Sequence, residues 1–221
     1  MDPILLIIKY LFKKKNLNND DASISDFFET GVSFPQFISL IYECEIPQIK
    51  KDPKTLFHKK MNNDIALQFL CQKNQFIQKI NPNYSTDRDK SNLLLLILTK
   101  QCFDININDI ISRCNLIVQS LNINYTKKSE IISTNCILSI LNVFTDGKVK
   151  VYADSDVNTN FDEIMINSFK QANAPLVINK SSLDLQNQNI FLIQLEILFD
   201  FFSEKIKELG NSPTKFVQHQ T

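Results

Sequence analysis

Few residues of this sequence have the type and spacing that chemistry requires. The two histidines, His58 and His219, cannot form an HExxH site, and no cysteine or histidine stands close enough to another for a CxxC zinc clamp. The three glycines, Gly31, Gly147 and Gly210, cannot supply the phosphate loops GxxxxGK[ST] or GxGxxG. Because no nucleophile is accompanied by a base, the sequence predicts no enzyme, no bound metal and no cofactor.

The cysteines and the amino-terminal segment indicate the compartment. The five cysteines are odd in number, widely spaced and flanked by apolar or helix-forming residues. This pattern favours buried thiols in a reducing cytosol over a disulfide framework. The apolar stretch PILLIIKYLF is interrupted by Lys9 and is too short for a membrane span. We therefore expect a cytoplasmic protein without stable membrane insertion.

The charges balance over the whole chain of 221 residues. Twenty-four basic residues stand against 24 acidic residues, so the basic excess of a nucleic-acid-binding protein is missing, and we expect no nucleic-acid partner. Residues 1–103 hold 14 basic and 11 acidic residues, whereas the rest of the chain holds 10 and 13. The first half is therefore the better candidate for contact with an acidic partner.

Two apolar segments indicate the helices that form the centre of the fold. The segments LLLLIL and IFLIQLEILFDFF have no regular polar face, which predicts a central helix covered by others in each half of the chain. Asn160 follows Asn62 by the same number of residues as Phe191 follows Leu93. At this offset, polar residues correspond to polar residues and apolar residues to apolar ones. The sequence therefore predicts an internal repeat.

The remaining apolar segments have the spacing of three and four residues that is typical of helices, without sustained alternation. They cover residues 3–15, 32–43, 55–72 and 134–144. We predict an all-α fold in which each half has about four main helices around its central apolar helix. A short junction separates the predicted domains 1–103 and 108–204, and a polar tail that breaks at Gly210 covers 205–221.

The first half resembles the calponin homology domain. The resemblance covers roughly residues 4–204 in all and is clearest in residues 24–74, ISDFFETGVSFPQFISLIYECEIPQIKKDPKTLFHKKMNNDIALQFLCQKN, with Gly31 at the turn glycine of the family. The segment KKDPKT matches the family's loop, and Asn62 with Ala66 and Leu67 matches its N-x-x-x-AL-x-FL helix. The segment DRDKSNLLLLILTK is similar to the last core helix, with Leu98 at the position of the usual Trp.

The second half is similar to a second, more divergent domain of the same family. NFDEIMINSFKQANAPLVI places Asn160, Pro175 and Val177 in register with the family pattern, and FLIQLEILFDFF stands where its last helix lies. The turn glycine is missing, and the chain has no Trp, whereas the family packs Trp in its core helices. The 17 phenylalanines are the residues that can fill that volume.

This resemblance implies a tandem module like the actin-binding part of α-actinin, spectrin and fimbrin. Carried over, the contacts with F-actin come from residues 3–15, 89–102 and 107–121, through an apolar interface with a rim of cations. The implied contact residues are Lys9, Lys13, Lys14, Lys15, Lys90, Thr99 and Lys100. The lysines that follow the first helix also have an ordinary interpretation, because cations complement the end of a helix dipole.

A second basic cluster surrounds His58 and has three interpretations. It consists of Lys50, Lys51, Lys54, Lys59 and Lys60. Its charge suits anionic lipid headgroups, the resemblance implies the acidic tails of tubulin, and a solvated loop needs no partner at all. We predict a non-catalytic cytoskeletal module that binds F-actin. The alternative is a scaffold or microtubule-associated module that has lost actin binding, which the missing Trp and the neutral charge favour.

Overall fold

The computed structural model describes residues 2–80, 82–103, 105–152, 154–183 and 188–211. Every regular element within these ranges is a helix, so the predicted all-α class is confirmed for the part of the chain that is described. The chain divides into two compact units, Met1–Asp104 and Ile105–Thr221, which we call unit 1 and unit 2. In the described ranges, no helix is long and apolar enough to cross a membrane.

The described residues of unit 1 form six α-helices and one π-helical turn. These are α1 (Pro3–Lys14), α2 (Ile24–Glu29), α3 (Ser33–Tyr42), α4 (Leu56–Lys73), α5 (Gln75–Ile80), α6 (Asp87–Ile97) and the π-turn Leu98–Cys102. Side chains that accept hydrogen bonds from first-turn amides start several of them, including Asp2 before α1 and Thr55 before α4. Thr86 and Asp89 form a reciprocal capping box at the start of α6. Local side chains therefore determine where these helices begin.

Phenylalanines fill the core of unit 1. Phe12 stacks on Phe37 with 6.3 Å between ring centres, and Phe28 stacks on Phe34 at 4.7 Å. Phe27 contacts Phe28, Phe34 and Phe37 edge to face. Such ring pairs add stability beyond the area that they bury. Unit 1 thus builds an aromatic core without any Trp.

A tight turn between α2 and α3 brings the chain against the first turn of α4. Gly31 has a φ of +64°, and a Cβ placed on it would lie 2.4 Å from the Cα of Lys59. Only glycine tolerates both this left-handed conformation and this close approach. The buried amide of Asn62 donates to the Gly31 carbonyl at 2.9 Å and to the Lys50 carbonyl at 2.8 Å, and its oxygen accepts from the Lys50 amide at 2.9 Å. Asn62 therefore fastens both the turn and the 45–55 loop to α4.

The central apolar helix of unit 1 is shorter than expected. The α-helical part ends at Ile97, and residues Leu98–Cys102 form a π-turn in place of further α-helix. Leu93, Leu94 and Ile97 are fully buried, whereas Leu95 and Leu96 are only half-buried. The helix is therefore central on one side and partly open to solvent on the other.

In the ranges that the structure describes, unit 2 has six α-helices and two short 3₁₀ turns. They are α7 (Ile107–Val118), the 3₁₀ turn Gln119–Leu121, α8 (Lys128–Ile131), α9 (Thr134–Phe144), α10 (Asp154–Ala172), the 3₁₀ turn Lys180–Leu183, α11 (Gln188–Phe201) and α12 (Ser203–Asn211). The predicted helix at 134–144 has the observed bounds of α9. Nearly every residue of α11 from Ile190 to Phe199 is buried, as expected for a central helix.

The predicted repeat pairs two buried positions at Leu93 and Phe191 but unlike positions at Asn62 and Asn160. Leu93 and Phe191 are both buried in their own units. Asn62 is buried, whereas Asn160 is exposed and interrupts α10 with non-helical backbone angles. In unit 2 the comparable anchor is a glutamine: Gln194 accepts from the Val177 amide at 2.8 Å and donates to the Pro175 carbonyl at 3.0 Å. A shared apolar pattern therefore does not imply a shared polar anchor.

The segment predicted as a polar tail begins inside a helix. Residues 205–211 belong to α12, which continues through Gly210, so the expected break at that glycine is wrong. Lys205 donates to the carbonyl of Phe144 at 2.8 Å, and its ammonium lies 5.9 Å from the centre of the Phe202 ring. These contacts attach α12 to the rest of unit 2. Residues 212–221 lie outside the described residues.

Candidate functional site

The amino-terminal lysines lie at the end of α1. Lys13, Lys14 and Lys15 are exposed, whereas Lys9 is half-buried. The Lys15 ammonium lies 2.6 Å from a carboxylate oxygen of Glu43 and holds the pKa of that carboxyl below its ordinary value. Both partners are more than half exposed, so solvent screens this ion pair. The end of α1 therefore presents a small cationic surface, with Lys9 set back from it.

Lys90 is held inside unit 1 by two partners. Its ammonium donates to the Ser25 hydroxyl at 2.8 Å and to the Asp87 carboxylate at 3.0 Å. Only 13% of the Lys90 side chain is exposed. Lys90 therefore links α6 to α2, and it does not supply a free cation to the surface.

Thr99 is buried in the π-turn, with its hydroxyl donating to the carbonyls of Leu95 at 2.9 Å and Leu96 at 3.2 Å. The expectation that Thr99 contacts a partner does not agree with this burial. A Thr hydroxyl on a helix can donate to the carbonyls three and four residues earlier, and here the Thr99 side chain turns back on its own helix in this way. Its neighbour Lys100 is exposed.

Lys100 lies beside an exposed aromatic residue that sequence reasoning missed. Its ammonium is 5.7 Å from the centre of the Phe76 ring, and 51% of Phe76 is exposed. Ile80 is half-exposed one turn further along α5, on the same side of the helix as Phe76. Asn74 donates to the side-chain oxygen of Gln101 at 2.9 Å and ties the start of α5 to the π-turn. We call Phe76, Ile80 and Lys100 the Phe76 patch.

The second basic cluster lies on the loop that Asn62 holds and on the first turns of α4. Lys50, Lys51, Lys54 and Lys60 are exposed, and Lys59 is half-buried against the Gly31 turn. Lys54 forms a 3.5 Å ion pair with Asp52, in which both side chains are largely exposed. Lys50 lies 3.2 Å from Nδ1 of His58. The structure thus brings the predicted cluster together on one loop and helix start.

Two apolar side chains stand in the middle of this cluster. Leu56 is 79% exposed and Phe57 is 72% exposed, although both belong to α4. The helical spacing of apolar residues assigns Leu56 to this helix, but it does not indicate that Leu56 faces solvent. The pair precedes the buried residues of α4, which begin at Asn62. The signal in the sequence was an apolar pair enclosed by lysines, KTLFHKK.

A cavity of about 670 Å³ lies next to the same loop. Apolar residues of α3 and the loop line it, among them Pro35, Ile46 and Pro47, and Lys50 and Lys51 line it as well. Leu56 and Phe57 do not line this cavity. The exposed apolar pair therefore projects outward instead of forming a wall of the cavity.

The thiols do not form a reactive set. Of the five cysteines expected to be buried, only Cys114 and Cys136 are; Cys44 is exposed, and Cys71 and Cys102 are half-buried. Partial burial still raises the pKa of Cys102 to about 12. Cys114 and Cys136 are buried with their sulfur atoms 3.8 Å apart. Contact with Cys114 and burial raise the pKa of Cys136. Within the described residues, no group of three or more His, Cys, Asp or Glu side chains has the arrangement of a metal site.

Comparison with known proteins finds no matching family model, no matching curated protein and no matching solved structure. The resemblance to the calponin homology domain therefore stays a prediction from the residues. Two surfaces of unit 1 combine exposed apolar side chains with lysines, and these surfaces are the candidates for function.

Proposed function

We propose that the chain is a non-catalytic cytoskeletal binding module and that unit 1 attaches it to the acidic surface of F-actin. The observation that carries this proposal is the Phe76 patch, where the Lys100 ammonium lies 5.7 Å from a half-exposed Phe76 ring. Protein interfaces commonly combine an apolar centre with a polar rim, and cations at the rim attract an acidic partner and orient it.

The structure changes the set of residues that we assign to this interface. Lys100 remains in it and gains Phe76 and Ile80 as the apolar centre. The exposed lysines at the end of α1, Lys13 and Lys14, remain as additional cations. Lys90 and Thr99 are removed from it, because the first is paired inside unit 1 and the second is buried.

Co-sedimentation of the full chain with F-actin tests the proposal, at low salt and at about 0.15 M salt. Lys100→Glu and Phe76→Ser should each weaken binding by about tenfold, since one reverses a rim charge and the other removes the apolar centre. Lys148→Glu is the matched control, because it makes the same charge change at an exposed lysine of unit 2. This control should leave binding unchanged.

A parallel assay with microtubules separates the alternatives. Pelleting with actin that persists at the higher salt and is lost in Lys100→Glu supports the proposal. Pelleting with microtubules alone, or with neither filament, overturns it. If the chain pellets with microtubules alone, it is a microtubule-associated module and not an actin-binding one.

A further inference from the structure

Unit 1 carries a second surface that neither its fold nor the proposed actin contact uses. Leu56 and Phe57 lie on the first turn of α4, and each residue is more than two thirds exposed. Four exposed lysines accompany them: Lys50, Lys51, Lys54 and Lys60. We call these six residues the Leu56–Phe57 patch.

The exposed apolar pair does not contribute to the core of unit 1. The buried residues of α4 are Asn62, Asn63, Ala66 and Leu70, all at least one turn beyond the pair. Two adjacent large apolar side chains that are this exposed are disfavoured in water and commonly mark a contact surface. A partner that removes the pair from water would therefore be favoured.

The charge around the pair is strongly one-sided. Residues 45–60 contain five lysines, and their acidic residues are Glu45 and Asp52. Asp52 offsets only Lys54, at 3.5 Å and with both side chains exposed, where an ion pair is weak. The partner that this surface attracts is therefore anionic.

The patch is held in shape before any partner binds. Asn62 makes three hydrogen bonds that fasten the Lys50 backbone and the Gly31 turn to α4. The Thr55 hydroxyl accepts from the His58 amide at 3.2 Å and caps the helix turn that carries Leu56 and Phe57. A preformed surface loses less conformational entropy when it binds.

The apolar pair projects outward, which decides between two kinds of anionic partner. A groove accepts an extended acidic peptide, whereas a projecting apolar tip surrounded by lysines suits the boundary between the headgroups and the acyl chains of a bilayer. Leu56 and Phe57 lie outside the lining of the neighbouring cavity. We propose that the Leu56–Phe57 patch binds the surface of anionic lipid bilayers, with the apolar pair inserted shallowly and the lysines on the headgroups.

Vesicle co-sedimentation of the full chain tests this proposal. The chain should bind phosphatidylcholine vesicles that contain about 30% phosphatidylserine, and it should bind pure phosphatidylcholine at least about tenfold more weakly. The double variants Leu56→Ser with Phe57→Ser, and Lys51→Glu with Lys54→Glu, should each weaken binding about tenfold. All four residues are exposed, so circular dichroism should show an unchanged fold. Ile166→Ser, at an exposed apolar residue of unit 2, is the matched control.

The absence of Trp from the chain provides a second readout. The variant Phe57→Trp introduces a single Trp at the exposed tip. Its fluorescence should shift to the blue with anionic vesicles, and lipids brominated on their acyl chains should quench it. Both effects report insertion and need no comparison of affinities.

Three results would overturn the proposal. They are equal binding to neutral and anionic vesicles, binding that both double variants leave unchanged, and fluorescence of the Phe57→Trp variant that vesicles do not shift. A blue shift with microtubules or poly-glutamate, but not with vesicles, would reassign the patch to an acidic polypeptide. The residues differ from those of the Phe76 patch, so this proposal and the actin proposal succeed or fail separately.

Discussion

The side-chain amide of Asn62 donates a hydrogen bond to the main-chain carbonyl of Gly31 at 2.9 Å. The two residues stand 31 positions apart, and this bond joins the turn before α3 to the second turn of α4. The same amide group holds the Lys50 backbone through its oxygen and its nitrogen. One buried side chain thus determines where the lysine loop lies.

Replacement of Asn62 by Ala should destabilise unit 1 by about 3 kcal/mol, because it leaves buried main-chain groups of the turn and the loop without partners. Hydrogen exchange should locate the loss, with faster exchange in peptides that cover residues 45–55 and no change in unit 2. The exposed Gln68 on the same helix gives the control, since Gln68→Ala should stay within about 0.5 kcal/mol of the parent. Uniformly faster exchange over both units would contradict this local role.

Replacement of Gly31 by Ala tests the close approach to α4. The new Cβ would lie 2.4 Å from the Cα of Lys59, so α4 must move, and we expect a loss of about 3 kcal/mol or more in urea denaturation. Gly147→Ala is a matched control, because Gly147 has a φ of +80° but nothing within 4 Å of its Cβ position. This control should cost only about 1 kcal/mol of backbone strain. If both variants lose the same stability, backbone strain alone explains why position 31 needs glycine, and the contact with Lys59 contributes nothing.

Much of the fold follows from local features of the sequence. Apolar residues at helical spacing, with polar caps such as Thr55 and Ser133, locate the helices to within a few residues. The π-turn at Leu98–Cys102 was missed, because the apolar pattern of the sequence does not distinguish it from further α-helix. Gln194 was missed as an anchor, because nothing in a hydrophobic pattern shows which buried polar side chain meets which main-chain group.

The candidate site was predicted less well than the fold. The lysines of the loop and of α1 were found from their charge, since charged side chains are seldom buried without a partner. Lys90 was wrongly expected at the surface, because its partners Ser25 and Asp87, one distant and one near in the sequence, hold its ammonium inside unit 1. Phe57 and Phe76 were missed, because apolar periodicity shows which residues belong to a helix but not where the packing against that helix stops.

The exposed and enclosed cysteines should differ in reactivity. Cys44 is exposed, whereas burial raises the pKa of Cys102 to about 12 and so suppresses its reactive thiolate. Under native conditions iodoacetamide should modify Cys44 at least about tenfold faster than Cys102, and the buried Cys114 and Cys136 should react last. Mass spectrometry of a time course gives the order. Early modification of Cys102 would show that the π-turn opens readily.

The Asp87 carboxylate should make the stability of unit 1 depend on pH. The Ser25 hydroxyl at 2.6 Å and the Lys90 ammonium at 3.0 Å lower the pKa of Asp87 below its ordinary value of 3.8. A lowered pKa in the folded state stabilises the fold above the ordinary value, and this contribution is lost as the pH falls through the lowered value. Asp87→Asn should therefore be less stable than the parent at about pH 7, and the difference should shrink at about pH 3. A difference that grows in acid would contradict the assignment.

Arg113 and Glu196 form a bidentate ion pair between α7 and α11 in unit 2. Nη1 of Arg113 donates to Oε2 of Glu196 and Nη2 donates to Oε1, and the guanidinium lies 4.5 Å from the centre of the Phe199 ring. Glu196 is only 14% exposed, so removal of Arg113 leaves a largely buried carboxylate without its partner. Arg113→Met should therefore destabilise unit 2 by about 3 kcal/mol in urea denaturation.

The double variant Arg113→Met with Glu196→Leu distinguishes an ion pair that stabilises the fold from one that only avoids an unpaired charge. Two apolar side chains of similar size need no desolvation of charge, so the double variant should recover most of the stability that Arg113→Met loses. Lys207→Met provides the comparison, because the Lys207–Glu204 pair on α12 is exposed and should change stability by less than about 0.5 kcal/mol. If the double variant is as unstable as Arg113→Met, the contacts of the guanidinium with Phe199 and Asp109 are the main contribution of Arg113, and the ion pair with Glu196 is secondary.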